Sequence, residues 1–333
     1  MQHNGHTLLQ ARLLEDWQRG LPLIERPYAA MAAAIGTSEY EVLSALRELQ
    51  AAGSISRVGG VVRPNTLGAS TLAAIAVPDL ETESVAAMLN AEAGINHVYL
   101  RENEINLWFV VTGPDTAYVA RVLQRVGERT GRQVLDLRLQ RAFHIDLGFS
   151  LDDPAYGRHV APAAVTQASF VSEDADRALV QSLTDGLPLS PTPFADIARR
   201  LNRSEGDVLA RLTTLVAAGV VPRIGVIVRH RALGWRSNAM VVWDVPPADI
   251  ERIGTVLAAQ PGINLCYQRT RYPQAWAYNL YCMVHARSRD EALDLLARAS
   301  AAAGIAALPR RILFSLRCYK QTGALLQAPR EAA

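Results

Sequence analysis

The chain repeats its own sequence pattern, and this repeat limits the fold more than any other feature does. The segment Gly20–Gly68 aligns without a gap with Gly186–Gly234, and nearly half of the aligned positions carry the same residue. A second pair, Gly94–Thr112 and Gly262–His285, shares Gly-Ile-Asn, then Tyr-x-Arg, then Asn-Leu followed by an aromatic residue. The turn of the second copy is five residues longer. The sequence therefore predicts two similarly folded halves in tandem.

Each half is predicted to begin with a winged helix-turn-helix domain. In the first half, apolar residues recur at helical spacing in Leu8–Arg19, Tyr28–Ile35 and Ser38–Ala52. Ser38 is a suitable N-cap for the third helix, and Glu41 is placed to complete a capping box. The alternating segment Ser54–Arg63 follows and is predicted to fold back on itself as a small hairpin.

The remainder of each half follows the order βαββαβ, which predicts a ferredoxin-like domain. In the first half the expected elements around the Gly94–Thr112 strand pair are Thr71–Val77, Glu81–Ala91, Ala117–Thr130 and Gln133–Gln140. In the second half they are Asn238–Val245, Pro247–Ala259, Ile263–Arg269, Tyr278–His285, Arg289–Ala302 and Arg311–Leu316. The predicted class is α+β, with domains at residues 1–68, 69–151, 174–234 and 235–326 and a linker at 152–173.

Composition and charge exclude several classes of protein. The chain has 333 residues, 50% of them apolar and 20% charged, with a net charge of +2. Its cysteines, Cys266, Cys282 and Cys318, form no CxxC pair, so neither a disulfide framework nor a zinc site is predicted. The N-terminal segment has charges within its apolar pattern, unlike a signal peptide, and no apolar run reaches the length of a membrane span. We expect a cytoplasmic protein without membrane contact.

The predicted recognition helices lack the charge that DNA binding requires. Contacts to phosphate call for Lys and Arg. The charged residues of the two helices are Glu39, Glu41, Arg47 and Glu48 in the first half and Glu205, Asp207 and Arg211 in the second. Because acidic residues outnumber basic ones in both, we expect no functional nucleic-acid binding and a structural or dimerising role.

A winged helix-turn-helix followed by βαββαβ resembles the Lrp/AsnC family, whose second domain binds small molecules. Several phrases, in order along the chain, resemble one branch of that family more closely. In the first half they begin at Arg57 (RxGGVV), Gly94 (GINHVYLRE), Asn106 (NLWFVV) and Phe143 (FHIDLGF). In the second half they begin at Arg223 (RIGVIV), Val241 (VVWDVP), Cys266 (CYQR), Ala275 (AWAYNLYCMVHAR) and Ile312 (ILFSLRCYKQTGA). Together they resemble the siroheme decarboxylases, here as a fusion of two homologous Lrp-like subunits over nearly the whole chain.

This resemblance implies an enzymatic activity. The family removes CO2 from two acetate side chains of siroheme, which gives 12,18-didecarboxysiroheme for heme d1 or alternative heme biosynthesis. It implies siroheme as the substrate, no organic cofactor, and iron that enters as part of the substrate. Members of the first-half type often carry a histidine where this chain has Asn103, so no role is carried over to that position.

Residue types suited to a flat tetrapyrrole ringed by carboxylates recur in the chain. A guanidinium pairs bidentately with a carboxylate, and aromatic rings stack on a macrocycle. Matched placement in both repeats singles out Arg101 with Arg269 on the strands, and Arg57 with Arg223 in the wings. The further candidates for substrate binding are Tyr99, Trp108, Tyr267, Arg271, Trp276, Tyr278 and Lys320.

Two histidines are candidates for the proton donor that decarboxylation needs. Loss of CO2 from an acetate leaves charge on a methylene carbon, and histidine is the usual general acid near neutral pH. His97 precedes Tyr99 and Arg101 on one predicted strand, so the three side chains share one face. His144 follows the last strand of the first half, with Asp146 near enough to orient it. Either histidine is a candidate catalytic residue alongside Arg101, and either could instead ligate the substrate iron.

The divergence between the halves predicts one competent site. Lrp-like ferredoxin units pair through their sheets, with ligands at the seam, and this chain supplies both partners. The second half has Leu265 where the first has His97, and His144 is expected to correspond to Lys320. We therefore expect the first half to supply acids and the second to supply binding. Replacing either histidine with alanine is expected to abolish turnover while the tetrapyrrole still binds.

Two other functions stay open at this point. The first is an Lrp-type transcription regulator that senses a small molecule or a tetrapyrrole, which salt-dependent binding to promoter DNA would support. The second is a tetrapyrrole-binding chaperone without turnover. Association of the chain into a homodimer is also left open.

Overall fold

The computed structural model describes residues 2–3, 6–145, 148, 174–272 and 274–327. They form two compact units. The first unit holds the helix-turn-helix segments of both halves, which end at Leu67 and Gly234, and the second holds both ferredoxin-like segments, which begin at Gly68 and Trp235. The predicted linker at 152–173 lies outside the described residues, as do Asp146 and His159.

The first half has three helices followed by the predicted βαββαβ order. Its helices are α1 (Leu8–Asp16), α2 (Pro27–Ile35), α3 (Glu39–Ala51), α4 (Thr82–Ala91) and α5 (Thr116–Thr130). Its strands are β1 (Gln2–His3), β2 (His6–Thr7), β3 (Ile55–Val61), β4 (Ala69–Ile75), β5 (Ile95–Arg101), β6 (Leu107–Gly113), β7 (Leu135–Leu137) and β8 (Leu139–Ile145).

The second half repeats this order. Its helices are α6 (Asp174–Asp185), α7 (Pro193–Leu201), α8 (Glu205–Ala217), α9 (Ile250–Ala258) and α10 (Arg289–Ala302). Its strands are β9 (Arg223–Val228), β10 (Ser237–Trp243), β11 (Ile263–Arg269), β12 (Leu280–Ala286) and β13 (Arg310–Gln321). The predicted α+β duplication, with a helix-turn-helix and a ferredoxin-like segment in each half, is confirmed.

The predicted start of α3 is confirmed by its hydrogen bonds. The Ser38 hydroxyl accepts from the backbone N–H of Glu41 at 3.2 Å, and the Glu41 carboxylate accepts from the backbone N–H of Ser38 at 3.0 Å. The second half begins α8 in a similar way, because the Ser204 hydroxyl accepts from the backbone N–H of Asp207 at 3.1 Å. The duplicated sequence thus sets the same helix boundary twice.

The hairpin predicted over Ser54–Arg63 is wrong. The segment forms one strand, β3, which runs antiparallel to its counterpart β9 with Gly59 opposite Gly225. The two adjacent glycines of β3 lie within the strand and form no turn. The role of Gly59 is instead to let α6 pack closely against the strand. A Cβ on Gly59 would lie 2.3 Å from the backbone carbonyl oxygen of Leu183. Alternation predicted the strand but could not identify its partner.

In the second unit, strands of both halves form one nine-stranded sheet in the order β7-β4-β6-β5-β13-β10-β12-β11-β8. The halves exchange strands, because β13 pairs with β5 of the first half and β8 pairs with β11 of the second. The prediction that the two ferredoxin-like segments pair within one chain is therefore confirmed.

Two predicted strand ends are wrong, and both lie where the halves exchange strands. The segment predicted as one strand over Gln133–Gln140 is divided at Arg138: β7 pairs with β4, whereas β8 runs on to Ile145 along β11. The last strand continues past Leu316 to Gln321, since β5 gives it a partner there. β7 and β8 are the sheet's two edge strands, and only one residue separates them, so the sheet must curve enough to bring its two edges close together at that point.

The curved sheet separates the helix-side cores from a shared inner face. One core lies beneath α4 and α5, and another beneath α9 and α10. The opposite face, here called the inner face, carries a cluster drawn from both halves. Its buried members are Ala74, Trp108, Leu135, Leu137, Met240, Val242, Trp276, Tyr281 and Leu313. Side chains on the inner face of either half can therefore contribute to one site.

Candidate active site

Strand β5 presents a histidine, a tyrosine and an arginine in a row. Val98 packs into the helix-side core. Its neighbours along the strand, His97 and Tyr99, therefore point to the opposite side of the sheet, the inner face. The rings of His97 and Tyr99 are nearly parallel at 23°, with centroids 6.2 Å apart. The guanidinium carbon of Arg101 lies 5.3 Å from the centre of the Tyr99 ring. The prediction that these three side chains share one face is confirmed, and we call them the His97 row.

The guanidinium of Arg101 is held by the second half of the chain. Its side chain is buried, with 5% of the residue exposed. Nη1 donates to the backbone carbonyl of Leu313 at 3.1 Å and to Oδ1 of Asn238 at 3.3 Å. A charged group in such a place needs hydrogen-bond partners to offset the loss of water, and the second half supplies them.

Strand β11 repeats the row without the histidine. Leu265 stands in the place of His97, and Tyr267 and Arg269 follow it. The guanidinium carbon of Arg269 lies 5.2 Å from the centre of the Tyr267 ring, and its Nη1 donates to the carbonyl of Leu137 at 2.9 Å. Burial lowers the pKa of Arg269, and it raises the pKa of Tyr267 to about 12 despite the nearby guanidinium. The phenol therefore stays neutral at physiological pH.

The hydrogen bonds of the two arginines are related by the duplication. Arg101 lies opposite Ser315 on β13, and Arg269 lies opposite Leu139 on β8. In each case Nη1 donates to the carbonyl two residues earlier in the chain, which belongs to Leu313 on β13 for Arg101 and to Leu137 at the end of β7 for Arg269. Equivalent backbone carbonyls thus hold both arginines.

The longer aromatic turn of the second half packs on the inner face. Only 4% of Trp276 is exposed, and its ring meets Trp108 edge-on with centroids 5.1 Å apart. Its indole N–H donates to the Tyr281 hydroxyl at 2.8 Å, and its ring also meets that of Tyr278 at 4.9 Å. Trp108 donates to the carbonyl of Ile105 at 2.7 Å. These predicted substrate-binding aromatics therefore contact one another.

Arg271 fastens this turn to the end of β10. Its Nη2 donates to the carboxylate of Asp244 and to the carbonyl of Val245, the latter at 2.8 Å. Its Nε donates to the carbonyl of Ala277 at 2.8 Å. Three hydrogen bonds within the turn and its neighbour place this guanidinium among protein groups.

The repeated asparagine of the Asn-Leu-aromatic pattern has a structural role. Asn106 donates to the carbonyl of Val77 at 2.8 Å and accepts from its N–H at 3.0 Å. Asn279 makes the same pair of bonds to Val245, at 3.0 and 2.9 Å. The pattern therefore recurs because a buried amide joins the first and third strands of each ferredoxin-like segment, β4 to β6 and β10 to β12.

Lys320 and His144 occupy equivalent register positions near the ends of the exchanged strands. Lys320 lies opposite Val98, and His144 lies opposite Cys266, which corresponds to Val98 in the repeat. The ammonium of Lys320 donates to the carbonyls of Asn90 and Glu92 at 2.8 and 3.1 Å, where α4 ends. Burial lowers the pKa of this lysine. The expected correspondence of the two residues is confirmed.

His144 itself is buried, with 4% of the residue exposed. Phe143, the residue before it, packs its ring against Gly254 of α9. The carboxylate predicted to orient His144, that of Asp146, lies outside the described residues. The geometry therefore places His144 on a strand beside β11 and not in the His97 row.

The two wing arginines lie in the first compact unit, on β3 and β9. Arg57 donates from Nη2 to the carbonyl of Gly60 at 3.3 Å, and burial lowers its pKa. Arg223 donates from Nε to the carbonyl of Gln18 at 2.8 Å. Both side chains thus make hydrogen bonds inside that unit. Their role in substrate binding stays a prediction.

A polar chain on the inner face was missed by the sequence. Asn238 donates from its amide nitrogen to Nε2 of His285 at 2.7 Å, and Nδ1 of that histidine lies 3.0 Å from Oδ1 of Asn264. The signal that was present is alternation: His285 follows Val284 on β12, so it points away from the helix-side core.

The described residues contain neither a cluster of metal ligands nor a helix suited to cross a membrane. No group of three or more His, Cys, Asp or Glu side chains in this part of the chain is placed to hold a metal ion. Within the same residues, no helix has both the length and the apolar character needed to cross a bilayer.

The fold and the sheet define the chain as a duplicated protein of the Lrp/AsnC class. A family model described as an AsnC-like ligand binding domain matches residues 66–144 and 232–320. A second model, described as the siroheme decarboxylase NirDL-like HTH domain, matches residues 10–55 and 176–221. Both models match twice, once in each half.

Relatives at full length identify the family. A siroheme decarboxylase NirDL subunit from Paracoccus denitrificans (strain Pd 1222) is 49% identical over 318 residues, which cover 96% of this chain and 97% of that protein. A siroheme decarboxylase from Hydrogenobacter thermophilus is 32% identical, covering 93% and 92%. The crystal structure of siroheme decarboxylase NirDL in complex with an iron-uroporphyrin III analogue is 27% identical, covers 95% and 92%, and gives a TM-score of 0.65. The chain belongs to the siroheme decarboxylase NirDL family.

Proposed function

We propose that this chain is a carboxy-lyase that converts siroheme to 12,18-didecarboxysiroheme by removing CO2 from two acetate side chains. The observation that carries the proposal is the His97 row, which puts a histidine, the proposed proton donor, and a buried guanidinium on one face. The family of the chain supports the same substrate. The product would enter heme d1 or alternative heme biosynthesis.

The proposed reaction is redox-neutral. The bond between the methylene carbon and the carboxylate carbon breaks, CO2 leaves, and the electron pair stays on the methylene carbon. One proton then adds to that carbon and completes the methyl group, and the same sequence occurs at the second acetate. The chain must therefore hold a carboxylated macrocycle and deliver one proton per CO2.

The residues of the two rows divide these tasks. His97 is proposed as a proton donor, and Arg101 beside it is proposed to orient a substrate carboxylate. Arg269 and Tyr267 belong to the row without a histidine and are proposed to bind substrate. This division agrees with the expectation that the first half supplies acids and the second supplies binding. Ligation of the substrate iron by His97 or His144 remains the alternative role for either histidine.

The proposal includes no organic cofactor, and since decarboxylation and protonation transfer no electrons, the reaction needs no redox cofactor. The iron belongs to the substrate. A cytoplasmic location is part of the proposal and is tested by cell fractionation. A homodimer was left open by the sequence, and light scattering of the purified chain measures its mass. The exchanged strands already provide sheet pairing within one chain.

Anaerobic incubation of the purified chain with siroheme tests the function. We expect mass spectrometry of the tetrapyrrole to detect loss of one CO2 and then of a second. A matched incubation without protein measures spontaneous loss. Tight binding without a change in mass would contradict the proposal and leave a tetrapyrrole carrier as the function.

A lysine in place of His144 tests whether this histidine has a structural role or a role in the reaction. Because Lys320 at the equivalent position binds the carbonyls that end α4, we expect His144→Lys to keep most of the turnover. Single-turnover rates with siroheme measure this. A loss of about 100-fold or more would instead support a role for His144 in the reaction, as a proton donor or as a ligand of the substrate iron, as the sequence predicted. Lys320→His is the matched control at the other end of the repeat.

A transcription regulator is not favoured by the family to which the chain belongs. The described helices agree with this, since the first turn of α3 carries Glu39 and Glu41, and that of α8 carries Glu205 and Asp207. Hydrogen bonds from Thr37 and Ser38 lower the pKa of Glu41 to about 2, so its carboxylate stays ionised. A negative charge at this point repels phosphate.

A further inference from the structure

We propose that Asn238 and His285 are positioning residues for Arg101, and that they set the guanidinium orientation that the proposed decarboxylation uses. The catalytic part of this inference rests on the proposed function. The positioning itself is a property of the inner face and can be measured separately. Asn264 is the last residue of this hydrogen-bonded set and contacts Nδ1 of His285.

These residues form a hydrogen-bonded row across five neighbouring strands. Arg101 on β5 donates to the Leu313 carbonyl on β13 and to Asn238 on β10. Asn238 lies directly opposite His285 on β12, and His285 reaches Asn264 on β11. The row therefore connects the strand of His97 to the strand that carries the second arginine.

The hydrogen-bonding chemistry fixes the direction of each group. The Asn238 amide nitrogen can only donate, so Nε2 of His285 must accept from it. The imidazole is then neutral and carries its proton on Nδ1, which donates to Oδ1 of Asn264. Because the amide nitrogen of Asn238 is occupied in this way, its Oδ1 is directed towards the guanidinium. A flipped amide would instead place an N–H group against a cation.

Burial makes this arrangement rigid. Only 3% of His285 and 4% of Asn238 is exposed, so water cannot readily replace a lost partner. A small displacement of a group that orients substrate can lower a rate by about 100-fold. We therefore expect the loss of this fixed orientation to lower the rate of the reaction more than it lowers the stability of the fold.

The duplication supplies a contrast within the same chain. Ser70 and Thr112 lie opposite each other on β4 and β6, as Asn238 and His285 do on β10 and β12. These shorter side chains stand at the positions that correspond to the support of Arg269. The longer Asn–His pair therefore accompanies the arginine whose row includes His97, and the shorter pair accompanies the row with Leu265.

A double-mutant cycle tests the coupling. We expect Asn238→Ser, which introduces the residue of its counterpart, to lower kcat/KM for siroheme by about 10- to 100-fold. In an Arg101→Lys background the same change is expected to have an effect of less than about 2-fold, because its target has been removed. Thr255→Ala, which removes an exposed hydrogen bond to the carbonyl of Glu251 within α9, is the control and is expected to leave kcat/KM unchanged. Unchanged kcat/KM in Asn238→Ser, or losses that multiply in the double variant, would overturn the inference.

Rescue at His285 separates positioning from a general loss of structure. We expect His285→Leu to lower kcat/KM and His285→Gln to recover part of it, because the glutamine oxygen can accept from Asn238. Melting temperatures of all variants identify any that unfold. Equal loss in the leucine and glutamine variants at equal stability would contradict a hydrogen-bonded role.

A spectroscopic measurement keeps the positioning independent of turnover. The side-chain NMR signals of Arg101 are those that disappear in Arg101→Lys. We expect Asn238→Ser to speed rotation of this guanidinium and to broaden those signals. If the wild-type chain does not decarboxylate siroheme, the proposed function fails while this measurement still decides the positioning. Signals unchanged by Asn238→Ser would refute it.

Discussion

Replacing His97 with alanine is expected to lower kcat for siroheme decarboxylation by about 100- to 10,000-fold, the usual contribution of a general acid. The tetrapyrrole should still bind, because Tyr99, Arg101 and the second row remain. Anaerobic single-turnover assays measure the rate, and an absorbance titration with siroheme measures the affinity. A large fall in kcat with a nearly constant dissociation constant identifies a group that acts in the chemical step.

The repeat provides the control for this variant. Leu265 occupies the corresponding place on β11, and Leu265→Ala should leave the rate within about 3-fold of the wild type. If the two alanine variants lose rate equally, packing on the inner face and not proton donation explains the loss. Unchanged turnover in His97→Ala would remove the histidine from the mechanism.

Replacing Trp276 with alanine is expected to lower the free energy of unfolding by about 3–5 kcal/mol, the range for removing a large aromatic side chain from a core. The expectation follows from its 4% exposure, its edge-on contact with Trp108 and its hydrogen bond to Tyr281. Urea unfolding followed by circular dichroism measures the change. Trp276→Phe should lose far less, because it keeps a ring against Trp108.

The Trp276→Phe variant also tests whether this tryptophan binds substrate, as the sequence predicted. If Trp276→Phe is stable but binds siroheme more weakly than the wild type, the indole contacts the macrocycle. If Trp276→Ala unfolds like the wild type, the packing described for the aromatic turn is incorrect.

The architecture was predictable because the sequence patterns of the first half recur in the second. The capping box predicted at Ser38 is present, and the repeated sequence places a related cap at Ser204. Alternation also predicted the shared face of His97, Tyr99 and Arg101. Local patterns of this kind depend on residues near in sequence, which a single sequence contains.

Strand partners were not predictable in the same way. The segment Ser54–Arg63 alternates whether it pairs with itself or with β9, and its two glycines suit a turn as well as a close helix contact. The crossing at Arg138 has no local signal either, because β8 gains its partner from a strand more than a hundred residues away. Pairing is a long-range property, and alternation reports only which face is buried.

Parts of the site were hidden for a similar reason. An aromatic turn has the same composition whether its rings meet a ligand or each other, so Trp276 and Tyr278 could not be divided between the two. Lys320 was selected for its charge, yet its ammonium meets the carbonyl groups at the end of α4. Asn238 carried no signal at all, because its importance arises only from the arginine two strands away.

Because β8 and β13 are exchanged, the two halves pair with each other as two different subunits would in a heterodimer, but they are parts of one chain. Two first halves paired with each other would carry two histidine rows, but neither would have the Asn238–His285 support. Two second halves would carry two such supports and no histidine row. Each isolated half would also leave the edge of β5 or β11 without its exchanged partner, and such edges promote self-association. Joining the halves in one polypeptide sets their ratio at one to one and favours the mixed pairing over both uniform ones. Selection can then change either half without changing the other.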